Sequence, residues 1–180
     1  MTESRKTLGG RFVAQLRQLA DNDDRAALAK LRRGLGKPPG TTLVTLAVVQ
    51  PRLPPRLWPE AETACYLVAS LFAEHPQPGG GGSLGRAFAL LAQKRQAESL
   101  EKRFVALLNA DEEDLPDHLR HAVSLLRSES IPVDWACLID DIQSWDHPAR
   151  FVQRRWARDF WAGEEQAETD PTEPTTKERS

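Results

Sequence analysis

Residues 41–49, TTLVTLAVV, place six β-branched side chains in nine positions, and on propensity alone they favour a strand. A strand needs a partner, and no second stretch of the chain offers one. The segment is therefore read as helix or irregular structure, and the fold class becomes all-α. Downstream, past Pro51, Pro54 and Pro55, residues 59–74 (PEAETACYLVASLFAE) open with a proline suited to a first helical turn. Tyr66, Leu67, Val68, Leu71 and Phe72 then make this helix apolar around most of its circumference, as expected of a central, buried element.

Upstream, Phe12, Val13, Leu16 and Leu19 repeat at helical spacing over 11–20, and Asp21 to Asp24 can cap a second helix. That helix carries Leu28, Leu31 and Leu35 and stops at Gly34, Gly36, Lys37, Pro38 and Pro39. Residues 76–82, PQPGGGG, read as a flexible linker. Ser83 caps a helix to about Lys94, and helical stripes follow over 97–109, 116–127, 133–145 and 147–161. The expected organisation is an N-terminal helical region (1–75), the linker (76–82), a C-terminal helical bundle (83–162) and a disordered acidic tail (163–180).

The tail holds Glu164, Glu165, Glu168, Asp170, Glu173 and Glu178 against Lys177 and Arg179. The whole chain has 24 basic and 26 acidic residues, so the rest is mildly basic. No run approaches the roughly 18 apolar residues of a membrane span, and the N-terminus lacks the apolar core of a signal peptide. Cys65 and Cys137 stand far apart without a CxxC pair, which suits a reducing compartment. A soluble cytoplasmic protein is expected.

Catalytic chemistry finds little support. His118 and His121 stand at i, i+3 but lack a third ligand at matching spacing, so a metal site is not expected. Asp140 and Asp141 are consecutive and diverge on a helix, while Asp111 to Asp114 suit a helix approach. There is no GxSxG, no Walker loop and no nucleophile beside a base. The expectation is a non-enzyme without cofactor.

The cations say more. Of the 24, 18 are Arg, whose planar fork suits phosphate. On a helical wheel Arg150, Arg154 and Arg158 fall within an arc of about 80°, opposite Val152, Trp156 and Phe160. Phe151 and Trp161 land in the same basic sector, and packing is the favoured use for them over stacking on bases. Arg25 and Arg32 flank Leu28 and Leu35, Arg103 borders Leu107, and Arg120 with Arg127 border Val123. Composition alone leaves two classes open: a nucleic-acid-binding protein, and a helical protein–protein adaptor with an acidic recruiting tail.

A set of local patterns resembles the CasB family, the small subunit of the type I-E CRISPR surveillance complex Cascade. The patterns are Asp24-Arg25 leading into Leu31-Arg32-Arg33-Gly34, Phe72-Ala73-Glu74-His75, Ser83-Leu84-Gly85-Arg86-Ala87, Arg103-Phe104 with Leu107-Leu108, Leu119-Arg120 with Leu125-Leu126, Val133-Asp134-Trp135, and Trp156-Ala157-Arg158 before Phe160-Trp161. The likeness covers residues 11–162 in order. It implies an all-helical, non-enzymatic subunit that binds crRNA and target DNA, steadies the R-loop and guides the displaced strand. It also implies contacts with the backbone and large subunits and with a second copy of the chain. By motif it points to Arg32, Arg33, Arg86, Arg103, Arg120 and Arg150 as phosphate contacts; helical geometry adds Arg25, Arg154 and Arg158.

Overall fold

The 41–49 stretch is helical. With no strand to pair with, its backbone groups bond within their own segment, and Thr45, Val48 and Val49 turn inward against the neighbouring helices. The computed structural model describes residues 7–77, 79–95 and 98–168. Among them are nine α-helices and no strand: α1 (Leu8–Asp21), α2 (Arg25–Arg32), α3 (Leu43–Val49), α4 (Pro59–Glu74), α5 (Leu84–Arg95), α6 (Glu98–Asn109), α7 (Leu115–Ser128), α8 (Trp135–Gln143) and α9 (Phe151–Glu168). A 3₁₀ turn, Gln50–Arg52, follows α3. The fold is all-α.

The helix starts follow from their capping side chains. Thr7 Oγ1 accepts from Gly10 N at 3.0 Å, Asp24 Oδ1 from Ala27 N at 2.9 Å and Asp134 Oδ1 from Cys137 N at 3.0 Å. Each satisfies an amide that the helix cannot. The last helix continues to Glu168, beyond the start of the expected tail, and residues 169–180 lie outside the described residues.

α4 is the hub, packed against α1, α2, α3, α7 and α8. Ala64, Cys65, Val68, Ala69, Phe72 and Ala73 have no exposed surface, as an apolar circumference requires. One continuous core runs from Phe12 and Leu16 on α1 through α4 to Trp135 on α8 and Trp156 on α9. Phe72 meets Trp135 edge-on, and Phe88, Phe104 and Phe160 form a ladder with ring centroids 5.0 and 4.4 Å apart. The glycine stretch is seated on this core: Gly80, at φ +82°, lies against the backbone of Val133 and Asp134 where a Cβ would not fit. Gly85 does the same between α5 and α9, its Cα facing the Trp156 carbonyl so closely that a side chain would collide. These two helices make the most extensive pairing in the molecule.

Burial also sets a pH dependence. It pushes the Cys65 and Cys137 thiols from an ordinary 9.0 up to about 12, with Glu62 adding to the effect at Cys65 and Asp141 at Cys137. Burial raises the Tyr66 phenol as well. Between the two thiol values the unfolded chain has released protons that the folded chain retains, so stability is full below the unfolded value and falls as pH rises above it. Under reducing conditions the urea midpoint should drop between about pH 7 and about pH 10.5, and less in a Cys65→Ala/Cys137→Ala variant relative to its own neutral value. An equal drop in both proteins would contradict this assignment.

Candidate nucleic-acid interface

The core stripe of α9 decides where its cations go. Val152, Trp156 and Phe160 are fully buried, which turns Arg154 and Arg158, one helical turn apart, to solvent. Neither makes a side-chain hydrogen bond or ion pair with a described residue. Arg155 points elsewhere, into an ion pair with the buried Asp141. That carboxylate also accepts from Trp156 Nε1 at 2.6 Å. Burial pushes the Asp141 carboxyl up, while the hydrogen bonds from Trp156 and Arg155 pull it down. Arg155 is a structural cation inside a basic helix.

Arg150 departs from the wheel reading. It precedes the first turn of α9 with a left-handed backbone, φ +47°, and its Nη2 donates to the Leu108 carbonyl at 2.5 Å. The guanidinium thus sits at the C-terminal end of α6, where the helix dipole favours a cation. The aromatic pair divides: Trp161 packs edge-on against Phe104 and Phe160, and Phe151 stays 44% exposed beside His147.

On α5, Arg86 is exposed and its side chain has no partner among the described residues. Ser83, at the head of that helix, donates to Asp159 of α9 at 2.5 Å and accepts from Arg86 N at 3.4 Å. Arg86, Arg154 and Arg158 therefore ride on one tightly packed helix pair. Arg103 on α6 is likewise exposed, at the edge of a groove of about 260 Å³ that His118 and His121 also line. No group of three His, Cys, Asp or Glu among the described residues could hold a metal ion.

The remaining arginines cluster around α2, α4 and α7. Arg32 Nη1 donates to the Ala73 carbonyl at 3.1 Å, and Arg127 pairs with Glu74, so two cations meet the C-terminal end of α4. Arg33 is exposed with no side-chain partner among the described residues. Arg120 pairs with Asp117 at 3.4 Å and reaches the turn at Gly36, while Arg25 pairs with Asp23 at 3.0 Å on the surface. The nine candidates thus split into two kinds. Arg25, Arg32, Arg120 and Arg150 have partners within the chain; Arg33, Arg86, Arg103, Arg154 and Arg158 have no side-chain partner among the described residues. For Arg32 and Arg150 sequence spacing could not make this division, because their partners Ala73 and Leu108 come from distant helices.

The family model of the CRISPR-associated protein Cse2 matches residues 27–161. The chain belongs to the Cse2 family. A Cse2 protein of Thermus thermophilus is 39% identical over 157 residues, covering 85% of this chain and 89% of its own. The crystal structure of CasB from Thermus thermophilus superposes with a TM-score of 0.75 at 38% identity, over 86% of this chain and 97% of that one. A chain of a CRISPR RNA-guided surveillance complex matches with a TM-score of 0.70 at 30% identity, over 86% and 90%. The CasB resemblance read from the sequence is the same family. In this Cse2 protein, Arg33, Arg86, Arg103, Arg154 and Arg158 all fall inside the matched span, and Arg25 falls outside it. No described helix is long and apolar enough to cross a membrane.

Proposed function

We propose that this Cse2 protein is a non-enzymatic subunit of a CRISPR surveillance complex of the Cascade type, and that it holds the crRNA–target DNA heteroduplex and the displaced strand through arginine–phosphate contacts. The observation that carries this is the set of five exposed arginines with no side-chain partner among the described residues: Arg33 at the end of α2, Arg86 on α5, Arg103 on α6, and Arg154 and Arg158 on α9. A guanidinium that has no acid to neutralise it is available for a phosphate oxygen. Guide pairing supplies sequence information in such a complex, so the protein needs phosphate contacts and shape fit and no base-edge readout. Arg32 and Arg150, already bonded to the Ala73 and Leu108 carbonyls, tie α2 to α4 and the start of α9 to α6, and Arg120 pairs with Asp117 on its own helix. The backbone and large subunits and a second copy of the chain are the expected protein partners, in the cytoplasm.

The isolated protein should bind single- and double-stranded nucleic acid weakly and without sequence preference, and its affinity should fall steeply with salt. Titrations of unrelated DNA sequences at several salt concentrations check this. A dissociation constant that ignores salt, or one that depends strongly on base sequence, would overturn the reading.

A further inference from the structure

The two helical halves enclose a cleft of about 520 Å³ whose charge is opposite to that of the arginine surfaces. Its floor is apolar, with Leu67 of α4, Leu115 of α7, and Ile142 and Trp145 from α8 and the turn after it. Around the mouth stand Glu60, Glu112, Glu113 and Asp146, and none of the four forms an ion pair with a described residue. Asp117 also lines it but is tied to Arg120, and Lys37 is the cation among the lining residues. Glu112 and Asp146 arrive from different connections, yet lie near enough to share a hydrogen bond. Burial, then the charges of Asp146, Glu60 and Glu113, push the Glu112 carboxyl above its ordinary range. Like charges are thus crowded where the chain supplies too few cations to relieve them.

We propose that this cleft is a docking site for a cationic segment of a different protein subunit, with Arg or Lys side chains on the acidic mouth and apolar side chains on the Leu67–Trp145 floor. Phosphate is repelled by four carboxylates, which rules the cleft out as a nucleic-acid groove. A metal ion is not the occupant either, because no three carboxylates of the described residues converge. A small polycation would leave the floor unmatched, whereas a polypeptide satisfies both surfaces. A second copy of the chain is the alternative occupant, and the crosslinking experiment below separates the two.

The proposal rests on the surveillance-complex reading for the identity of the partner but not for the chemistry of the cleft, and two measurements separate them. In the first, a labelled hexapeptide of alternating Arg and Leu is titrated into the isolated wild-type protein, a Glu112→Gln/Glu113→Gln/Asp146→Asn variant of unchanged melting temperature, and an Arg86→Ala/Arg154→Ala/Arg158→Ala variant. Neutralising the cleft should weaken peptide binding by about tenfold or more, and removing the arginines should leave it at the wild-type value. Equal binding by the wild type and the cleft variant would overturn the site. In the second, a photo-crosslinking residue at Gln143 in a complex rebuilt from purified subunits and guide RNA should attach to a Lys- or Arg-bearing segment of another subunit. Attachment to RNA, to DNA or to a second copy of this chain would overturn the assigned occupant. A wild-type protein that does not enter the rebuilt complex would sink the functional reading, and the peptide titration alone would then decide the cleft.

Discussion

Replacing Trp156 with alanine is expected to lower the stability of the chain by about 3–5 kcal/mol, enough to unfold a domain of ordinary marginal stability. The indole has no exposed surface and packs on Trp145 with ring centroids 5.1 Å apart. Its Nε1 donates to Asp141, which then holds Arg155. Truncation therefore opens a cavity in the shared core and strips a buried carboxylate of one of its donors. Trp156→Phe keeps much of the volume and loses only the donor, so it should fall between alanine and wild type. Urea unfolding of the three proteins checks the order. An alanine variant within about 0.5 kcal/mol of wild type would mean that the site is not part of the core.

The largest functional effect is expected from Arg86→Ala/Arg154→Ala/Arg158→Ala. All three side chains are exposed and have no partner among the described residues, so their removal creates no cavity and orphans no described buried group; stability should change by less than about 0.5 kcal/mol. In an assembled surveillance complex the same variant should shorten the lifetime of the R-loop while guide RNA stays bound. If these three cations bind phosphate as proposed, taking them off one helix pair should weaken binding by at least about tenfold at moderate salt. Arg32→Ala/Arg120→Ala/Arg150→Ala should behave in the opposite way, lowering stability first, because these guanidiniums are bonded to Ala73, Asp117 and Leu108. If both triple variants lost R-loop lifetime and stability in equal measure, the division between free and bonded arginines would carry no functional meaning.

Much of the architecture is legible in the sequence because apolar periodicity is a local signal. The stripes of α1, α4 and α9 predict their burial, and the Asp24 and Ser83 positions mark the helix starts they predict. The wheel of α9 places Arg154 and Arg158 opposite the buried stripe. It fails at Arg150, since a wheel assumes helical backbone and this residue has a positive φ outside the helix. It is equally silent on Arg155, whose partner Asp141 lies 14 residues away on α8. The glycine run reads as a spacer, yet the close approach of Gly80 to Val133 depends on a segment some fifty residues further along. The acidic cleft is the extreme case: its lining comes from four separate stretches, each of which reads on its own as part of a helix, a helix end or a helix approach. Local periodicity gives faces; only the fold gives partners.

The most direct test of the central claim is the slope of log K against log[salt] for a DNA duplex with the wild-type protein and with Arg86→Ala/Arg154→Ala/Arg158→Ala. If the three arginines each neutralise a phosphate, the variant's slope is shallower by about 2 to 3, near 0.9 for each phosphate no longer neutralised. A fourfold rise in salt would then cost the wild type about 16 to 64 times more affinity than it costs the variant. A variant that binds more weakly but keeps the wild-type slope, or one that binds as the wild type does at every salt concentration, would contradict the assignment of these arginines to phosphate.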